Sequence, residues 1–542
     1  MLKLTLPVHL VLSLLLYGCF PSSHSPVPLS SEASQFIGLL GCPALDAPPR
    51  ASRHSIYVDG YGHLLNPVTE KPISNTGNVI KDYNAENLYI DRILSDFACQ
   101  RRNDPNLKLT LFIHGGLNQF KDATTRARKY TNQMLADGQY PVFISWDSGF
   151  QSNYFDHLFR IRKGLSTPVL GVPSAPFVLL EDIARSLSRI PASVYKEFKT
   201  PLVVTIAVKT EDERDYESRE DALSKLGFDV QSSEPFRGVA GDYWTIWNPL
   251  KLLGAPLVDG FGTGAWDGML RRTDLVLTKS SAFEGNYLPV GNAAKSKKTS
   301  YETQRGEDAR IFDTAATLFL KRIEDFGDNA PQLNIIAHSM GSIVAVNILA
   351  RHPSLRVNNL VFMGAAARVK DVENVVVPWL LNNPDSQFWN LSLDPYREMG
   401  ENNYLDIGPR GSLLNWIDFT FGEVNSYKDR TAGSWWNITR IAEDIFPKVT
   451  KAGLPQTTTT IDKDTPADAS RLRARVHLVR FPIGKNCQWP QAHGEFDDYQ
   501  FWKEDYWNSG GLQAAATINQ MACSPYFVER SLGPDAARDW RR

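Results

Sequence analysis

The segment 333–350 constrains the fold of this 542-residue chain more than any other part of the sequence. Residues 333–337 form a mostly apolar run of strand character, and residues 342–350 have the apolar spacing of a helix. Between them lie His338, Ser339, Met340 and Gly341, so the turn is short. The segment therefore predicts a strand, a sharp turn and a helix in immediate succession, with small residues where the strand and the helix meet.

Strand and helix patterns alternate through most of the chain. The patterns predict strands over 55–59, 63–66, 107–113, 141–146, 333–338, 360–363, 388–393 and 476–481, and helices over 123–137, about 311–323 and 342–350. The first two strands flank a Gly-Tyr-Gly turn and predict a hairpin at a sheet edge. Strands that alternate with helical crossovers form mostly parallel sheets covered on both faces. The predicted fold class is α/β, with a doubly wound, mostly parallel sheet.

The domain organisation follows from the places where this alternation is interrupted. Residues 151–303 carry Pro-punctuated amphipathic pieces and an aromatic-rich stretch at 243–250. We predict that they form a cap or lid above the sheet edge where ligands bind, the alternative being an elaboration packed on the core. The predicted units are a targeting segment 1–19, a Ser- and Pro-rich tether 20–50, a first part of the core 51–150, the insertion 151–303, a second part of the core 304–510 and an extension 511–542.

The composition limits the classes of partner. The chain has 58 basic and 60 acidic side chains, so its overall charge gives no general attraction to nucleic acid. The five cysteines include no C-x-x-C pair, the usual pattern of a structural zinc site. The sequence thus predicts no metal, no cofactor and no nucleic-acid partner.

The N-terminus has the pattern of an export signal. Lys3 precedes a largely apolar stretch over 4–16 that is too short for a comfortable membrane span. The stretch ends in Leu-Tyr-Gly-Cys, which resembles a bacterial lipobox and predicts lipidation at Cys19. Tyr17 is bulkier than the usual residue there, so cleavage without lipidation is the alternative. The expected location is the bacterial cell envelope, with a lipid anchor in the membrane, or otherwise outside the cell.

Four cysteines remain after Cys19, namely Cys42, Cys99, Cys487 and Cys523. An oxidising compartment allows two disulfides among them. The preferred pair is Cys487 with Cys523, although the sequence leaves all three pairings open.

Ser339 is the candidate nucleophile. A serine at a sharp strand-to-helix turn, in the pattern G-x-S-x-G, has its hydroxyl pushed out of the backbone towards a substrate. Here the first glycine of the pattern is Ala337, which adds a single methyl group, and the second is Gly341.

The candidate base is His493. Only two other histidines follow Ser339: His352 at the end of a helix and His477 inside a strand, where structural roles are expected. His493 comes after the last predicted strand, in a loop from which an imidazole can reach back over the sheet.

The candidate acid is Asp394. It follows a predicted strand that Pro395 ends, which places its carboxylate at the same sheet edge as Ser339. Asp371 and Asp385 are weaker alternatives, and Asp394 could instead cap the helix that follows it.

The candidate oxyanion hole consists of the Gly116 and Met340 backbone N–H groups. His114, Gly115 and Gly116 end an early strand, and the glycines allow N–H groups to turn towards a bound carbonyl oxygen. Met340 directly follows the nucleophile and supplies the second donor.

With these parts in this order, the chain resembles the α/β-hydrolase superfamily over about 105–150 and 305–505. The elbow is similar to that of bacterial lipases, and the His-Gly-Gly turn to that of esterases. The resemblance implies a Ser–His–Asp mechanism through an acyl-enzyme. It leads us to expect an exported, lipase- or esterase-like hydrolase that acts on an ester or lipid small molecule. The alternatives are acyl transfer, amide or peptide hydrolysis, or a non-catalytic surface protein.

Overall fold

The computed structural model describes residues 53–74, 76, 79–162, 165–166, 168–206, 212–232, 249–280, 313–326, 330–401, 409–422, 424–446, 471–481 and 489–508. The predicted targeting segment with Cys19, the tether, most of the aromatic-rich stretch and the C-terminal extension lie outside these residues. Cys99 is disulfide-bonded, and Cys42, Cys487 and Cys523 also lie outside the described residues. Among the helices that are described, none combines the length and the apolar character needed to cross a membrane.

Nine strands form one mixed sheet in the described part of the chain. They are β1 (Ser55–Val58), β2 (Leu64–Leu65), β3 (Lys108–Ile113), β4 (Gln139–Trp146), β7 (Asp229–Ser232), β8 (Leu333–His338), β9 (Asn359–Met363), β10 (Gln387–Ser392) and β11 (Val476–Arg480), while β5 (Ile161–Arg162) and β6 (Leu165–Ser166) pair separately. The order across the sheet is β2-β1-β4-β3-β8-β9-β10-β11-β7. The β1–β2 hairpin is antiparallel, and every other neighbouring pair is parallel. The predicted α/β class with a mostly parallel sheet and an edge hairpin is confirmed.

The described helices surround this sheet and join its strands. They are α1 (Val79–Asn103), α2 (Phe120–Ala136), α3 (Phe150–Phe159), α4 (Pro168–Ile206), α5 (Asp212–Lys225), α6 (Pro249–Leu275), α7 (Ala315–Glu324), α8 (Gly341–Arg351), α9 (Val369–Asp371), α10 (Val377–Asn382), α11 (Pro395–Gly400), α12 (Leu413–Trp416), α13 (Trp435–Ile445) and α14 (Glu504–Asn508). Two π-helical turns, Val372–Val376 and Ile417–Phe421, extend α9 and α12.

The central strands are buried on both faces. In β3, Leu109 and Leu111 join one apolar cluster, while Phe112 joins a second cluster on the opposite face. In β8, Ile335 and Ile336 divide in the same way. Because neighbouring side chains of a strand point to opposite faces, a strand covered on both sides has to be apolar throughout. This requirement explains the continuous apolar runs in the sequence.

The segment predicted as an insertion contributes to the main sheet as well as to a helical layer. Its strand β7 pairs with β11 and extends the sheet at the edge opposite the hairpin. The Pro-punctuated amphipathic pieces of this segment, at 175–190 and 192–198, belong to one helix, α4, which packs on α3 and α6. Helix α1 is an element that the sequence analysis did not include.

The strand order changes direction between β3 and β8. From β3 the chain continues to β4 on one side, and the later strand β8 lies against β3 on the other side. Outside the carboxyl ends of strands at such a switch point, the connections leave in opposite directions and open a crevice that binds ligands in α/β proteins. The fold therefore places the turn after β3 and the turn after β8 side by side at this crevice.

We predict that Gly341 is required for the contact between β3 and α8. A β-carbon at Gly341 would lie 2.3 Å from the carbonyl oxygen of Ile113, a backbone atom that cannot rotate away. We expect Gly341→Ala to lower the free energy of unfolding by about 2–3 kcal/mol because of overpacking, as measured by chemical denaturation. Gly400→Ala is the matched control, since no atom lies within 4 Å of its ideal β-carbon. Equal stability of Gly341→Ala and wild type would contradict the prediction.

Candidate active site

Ser339 occupies a strained turn between β8 and α8. Its φ angle is +50°, in a region that residues with a side chain rarely adopt. The Ser339 N–H donates to the Met363 carbonyl at 2.9 Å, and the Ser339 carbonyl accepts from the Ala366 N–H at 3.0 Å. These bonds to the segment after β9 hold the turn in place. The sharp turn predicted from the sequence is present. Ala337, which occupies the position of the first glycine in the G-x-S-x-G pattern, is fully buried.

Two glycines let the turn after β3 approach Ser339. A β-carbon at Gly115 would lie 3.0 Å from the Ser339 Cβ, and one at Gly116 would lie 2.5 Å from the Met340 Sδ. Side chains at these positions would separate the two turns. The predicted His-Gly-Gly turn therefore lies directly beside Ser339.

His493 is in hydrogen-bond contact with Ser339. Its Nε2 lies 2.8 Å from the Ser339 Oγ, although the two residues are far apart in the sequence. It begins the 3-10 turn His493–Asp498, which follows β11. Burial, and then the neighbouring His338, hold the pKa of His493 well below its usual value. The imidazole is therefore neutral at pH 7, the state in which it accepts a proton from the serine hydroxyl.

Two contacts that the sequence analysis missed hold the backbone of His493. The His338 Nε2–H donates to the His493 carbonyl at 2.9 Å, and the His493 N–H donates to the Glu401 Oε2 at 2.9 Å. The ring lies against Gly364, where a β-carbon would be 2.9 Å from the His493 Cε1. His338 is next to the nucleophile in sequence, but no sequence signal indicates the contact with Glu401.

The structure does not bring Asp394 into hydrogen-bond contact with His493. The His493 Nδ1 is buried and has no hydrogen-bond partner among the described residues. The Asp394 carboxylate is at the expected sheet edge, buried, but its Oδ2 lies 3.0 Å from the Arg480 Nη1. Arg480 also pairs with Glu220, with 3.0 Å between Nε and Oε1. The role of Asp394 as the acid stays a prediction.

The weaker candidates have other partners. His352 binds Glu324 through Nδ1 at 2.8 Å. His477 lies between Asp229 and Gln387 and stacks on a tryptophan. Asp371 pairs with Arg368 at 2.9 Å.

The predicted oxyanion donors lie on the two turns that meet at the crevice. Within the described part of the chain, neither the Gly116 N–H nor the Met340 N–H donates a hydrogen bond. The N–H of the next residue, Leu117, is taken by the Ser148 carbonyl at 3.1 Å. Met340 precedes the first turn of α8, where backbone N–H groups have no partner inside the helix. Gly116 and Met340 are therefore suited to stabilise a negatively charged oxygen.

Polar side chains, two of them partly buried and one buried, fix the turn that carries Gly116. Asn118 donates through Nδ2 to the Gly115 carbonyl at 2.9 Å and to the Gly116 carbonyl at 3.0 Å. The Arg126 Nη2 donates to the Asn118 Oδ1 at 3.1 Å, and the Arg126 Nε lies 2.5 Å from the Asp497 Oδ2. Asp497 belongs to the same 3-10 turn as His493. One chain of contacts therefore connects the turn of the base to the turn of the oxyanion donors.

His114 anchors the same turn from below. Its Nδ1 lies 2.5 Å from the Gly115 carbonyl oxygen, its Nε2 accepts from the Trp146 N–H at 3.0 Å, and its ring stacks on the Trp146 ring. Burial is the largest cause that lowers the pKa of His114, to about 3. His114 is therefore a neutral, structural histidine.

Comparisons with family models, curated proteins and solved structures give no match to this chain. No group of three or more His, Cys, Asp or Glu side chains arranged to hold a metal ion occurs in the part of the chain that the structure describes.

Glu495 is an acid that titrates near neutral pH beside the candidate base. Burial is the main cause that raises its pKa to about 7, and the nearby Glu401 contributes in the same direction. Its Oε2 accepts from the Gln491 N–H at 2.8 Å. Below pH 7 the carboxyl group is therefore largely protonated, unlike an ordinary glutamate.

We predict that the effect of Glu495→Gln on stability depends on pH. The pKa is higher in the folded than in the unfolded protein, so the stabilisation by Glu495 is complete below about pH 4.5 and is lost as the pH rises through 7. Relative to wild type, Glu495→Gln should gain about 2–3 kcal/mol between pH 5 and pH 8. Denaturant unfolding at both pH values measures this gain. The control is Glu504→Gln, whose half-exposed side chain should give no such difference, and an equal gain in both variants would refute the prediction.

Proposed function

We propose that the chain is an α/β-hydrolase that cleaves carboxylic esters, with Ser339 as nucleophile and His493 as base. The observation that supports this proposal most directly is the 2.8 Å contact between the Ser339 Oγ and the His493 Nε2, at a strained turn beside the switch point of the sheet. The strand order also supports the assignment. The strands β4-β3-β8-β9-β10-β11 are parallel, with Ser339 after a central strand and His493 after β11, in the chain order that this class of hydrolase has.

The proposed reaction uses groups that already converge. His493 takes the proton from the Ser339 hydroxyl while Oγ bonds to the ester carbonyl carbon. The carbonyl oxygen becomes an oxyanion and accepts from the Gly116 and Met340 N–H groups, each worth roughly 3 kcal/mol in comparable sites. The bond between the carbonyl carbon and the alcohol oxygen then breaks, and His493 returns the proton to the alcohol oxygen. Water, deprotonated by His493, then releases the acid from Ser339.

The location is proposed from the sequence alone. The apolar N-terminus and Cys19 favour an exported protein that is anchored by lipid in the bacterial cell envelope, where lipid esters are abundant substrates. Acyl transfer and amide or peptide hydrolysis use the same groups and remain the alternatives.

We predict that a fluorophosphonate probe labels the protein at Ser339. Wild type should be labelled and Ser339→Ala should not, because the probe bonds to an activated serine oxygen. His493→Ala should be labelled at least 100-fold more slowly, since it lacks the base. Ser354→Ala is the control: this exposed serine binds Glu324 far from the crevice, so its rate should equal that of wild type. Equal labelling of wild type and Ser339→Ala would show that the catalytic proposal is wrong.

Matched chromogenic substrates test which type of bond the protein cleaves. Wild type should hydrolyse p-nitrophenyl esters of several acyl lengths, and Ser339→Ala should not. Activity on p-nitroanilides or peptides but not on esters would favour an amidase. Preferential transfer of the acyl group to an added alcohol would favour an acyltransferase.

We predict that Asp394→Asn lowers kcat for such an ester at least 100-fold, with little change in KM. The triad acid stabilises the imidazolium and fixes its tautomer. Catalytic hydrogen bonds are often long in a free enzyme and tighten in the substrate complex. Unfolding of the variant is measured in parallel, because Asp394 is also a buried partner of Arg480. An unchanged kcat with a loss of stability of about 3 kcal/mol would assign Asp394 to the ion pair alone.

A further inference from the structure

Helix α4 has its polar and apolar residues on the opposite sides from those of an ordinary surface helix. The positions that it buries most deeply recur at helical spacing and are small or polar: Gly171, Ala175, Asp182, Ser186, Ser193 and Glu197. Of its larger apolar side chains, Val178 and Leu179 are partly buried in a small apolar cluster with α3. A helix that is stable in water buries its apolar stripe and exposes its polar one. The arrangement of α4 is therefore inverted.

The outward face of α4 is apolar along most of its length. Of the twelve exposed large hydrophobic side chains recorded in the described residues, eight belong to α4: Leu170, Val172, Phe177, Leu180, Ile183, Leu187, Ile190 and Tyr195. Phe177 is 74% exposed. From Leu170 to Tyr195 this face extends for roughly 38 Å. We call these eight residues the outer face of α4.

The inward side of α4 packs closely on α6, and its Asp182 and Glu197 carboxylates accept hydrogen bonds. A β-carbon at Gly260 of α6 would lie 1.8 Å from the Ser186 Oγ, so the two helices touch through small residues. The Asp182 carboxylate accepts from the Tyr154 hydroxyl at 2.8 Å, and the Glu197 Oε1 accepts from the Arg410 N–H at 2.9 Å. Small residues and paired polar groups between helices, with apolar residues outside, are typical of helices that contact lipid.

Charge indicates the kind of lipid. Arg185 and Arg189 are exposed and lie one helical turn apart, along one edge of the outer face. Glu181 is the exposed acid on the same edge, and the Arg189 Nε lies 3.9 Å from the Oδ1 of the buried Asp259, so the exposed side chains of this edge carry two positive charges and one negative charge. Cations beside an apolar helix face complement anionic headgroups while the apolar side chains enter the acyl boundary.

We propose that the outer face of α4 docks on the surface of an anionic lipid bilayer, with the helix lying in the plane of the headgroups. This docking depends only on α4 and its neighbours and is independent of whether Ser339 is catalytic. It assigns lipid contact to the folded body of the protein, in addition to any anchor at the N-terminus.

Vesicle co-sedimentation of the full-length protein tests the proposal. The vesicles are phosphatidylcholine alone or a 7:3 mixture with phosphatidylglycerol. The triple variant Phe177→Ser, Leu180→Ser, Leu187→Ser should bind the mixed vesicles at least tenfold more weakly than wild type. The control variant Val68→Ser, Phe326→Ser changes exposed apolar residues outside α4 and should bind as wild type does. The N-terminus is identical in all variants, so differences between them report on α4.

A second pair of measurements keeps the test decisive if the triple variant folds poorly. Arg185→Gln with Arg189→Gln should lose the preference for anionic over neutral vesicles while circular dichroism stays unchanged. Equal vesicle binding by wild type and the triple variant would overturn the proposal. Analytical ultracentrifugation that shows a wild-type dimer, absent in the triple variant, together with no binding to vesicles, would also overturn it and identify a second copy as the occupant.

Discussion

The close approach of the carboxyl ends of β3 and β8 is the constraint on which the rest of the candidate site depends. At this point the start of α8 passes so near to Ile113 that only glycine fits at position 341. Gly115 is needed at the facing turn for the same reason. The short distance forces Ser339 into its positive φ angle, which turns the hydroxyl away from the backbone and into the crevice. The backbone strain, the need for the glycines and the position of the Ser339 hydroxyl therefore have one steric cause.

Burial then sets the chemistry of the groups around this crevice. His493, His338 and His114 are buried with few charges to stabilise a proton, and burial lowers the pKa of all three. Burial and nearby carboxylates raise the pKa of the buried Glu398 well above the usual value. For the buried Asp497, burial also raises the pKa, but Arg126 and other contacts outweigh it, so the pKa of Asp497 lies below the usual value. The site is therefore a region where imidazoles are neutral at pH 7 and can accept protons.

The elements of the fold and the residues of the candidate site could be predicted from the sequence where the sequence pattern that indicates them is local. The strands β3, β8, β9, β10 and β11 and the Ser339 turn follow from apolar runs and from small residues close in sequence. His493 was found because its place after the last strand fixes which sheet edge it reaches. Helix α1 had a readable signal, since Tyr89, Ile93 and Phe97 follow helical spacing and are buried.

The partners of the site could not be predicted, because they depend on contacts between distant segments. Asp394 was placed at the correct edge by its position after β10, but its ion pair with Arg480 depends on the register between β10 and β11. Glu401 contacts His493 through a backbone N–H, a contact that leaves no trace in residue type. Strand β7 has only four residues, three of which are polar or charged. It exists because the edge of β11 supplies backbone partners.

The inverted helix α4 is physically connected to the candidate base. Glu197 of α4 accepts from the Arg410 N–H, and the adjacent Gly411 N–H donates to the Glu401 carbonyl at 2.8 Å. Glu401 in turn accepts the His493 N–H through its side chain. These contacts fix the position of the crevice relative to the outer face of α4. A surface that α4 contacts would therefore meet the crevice in one defined orientation. A fixed orientation helps an enzyme whose substrate is part of that surface. It has no value for an enzyme whose substrate diffuses freely in water.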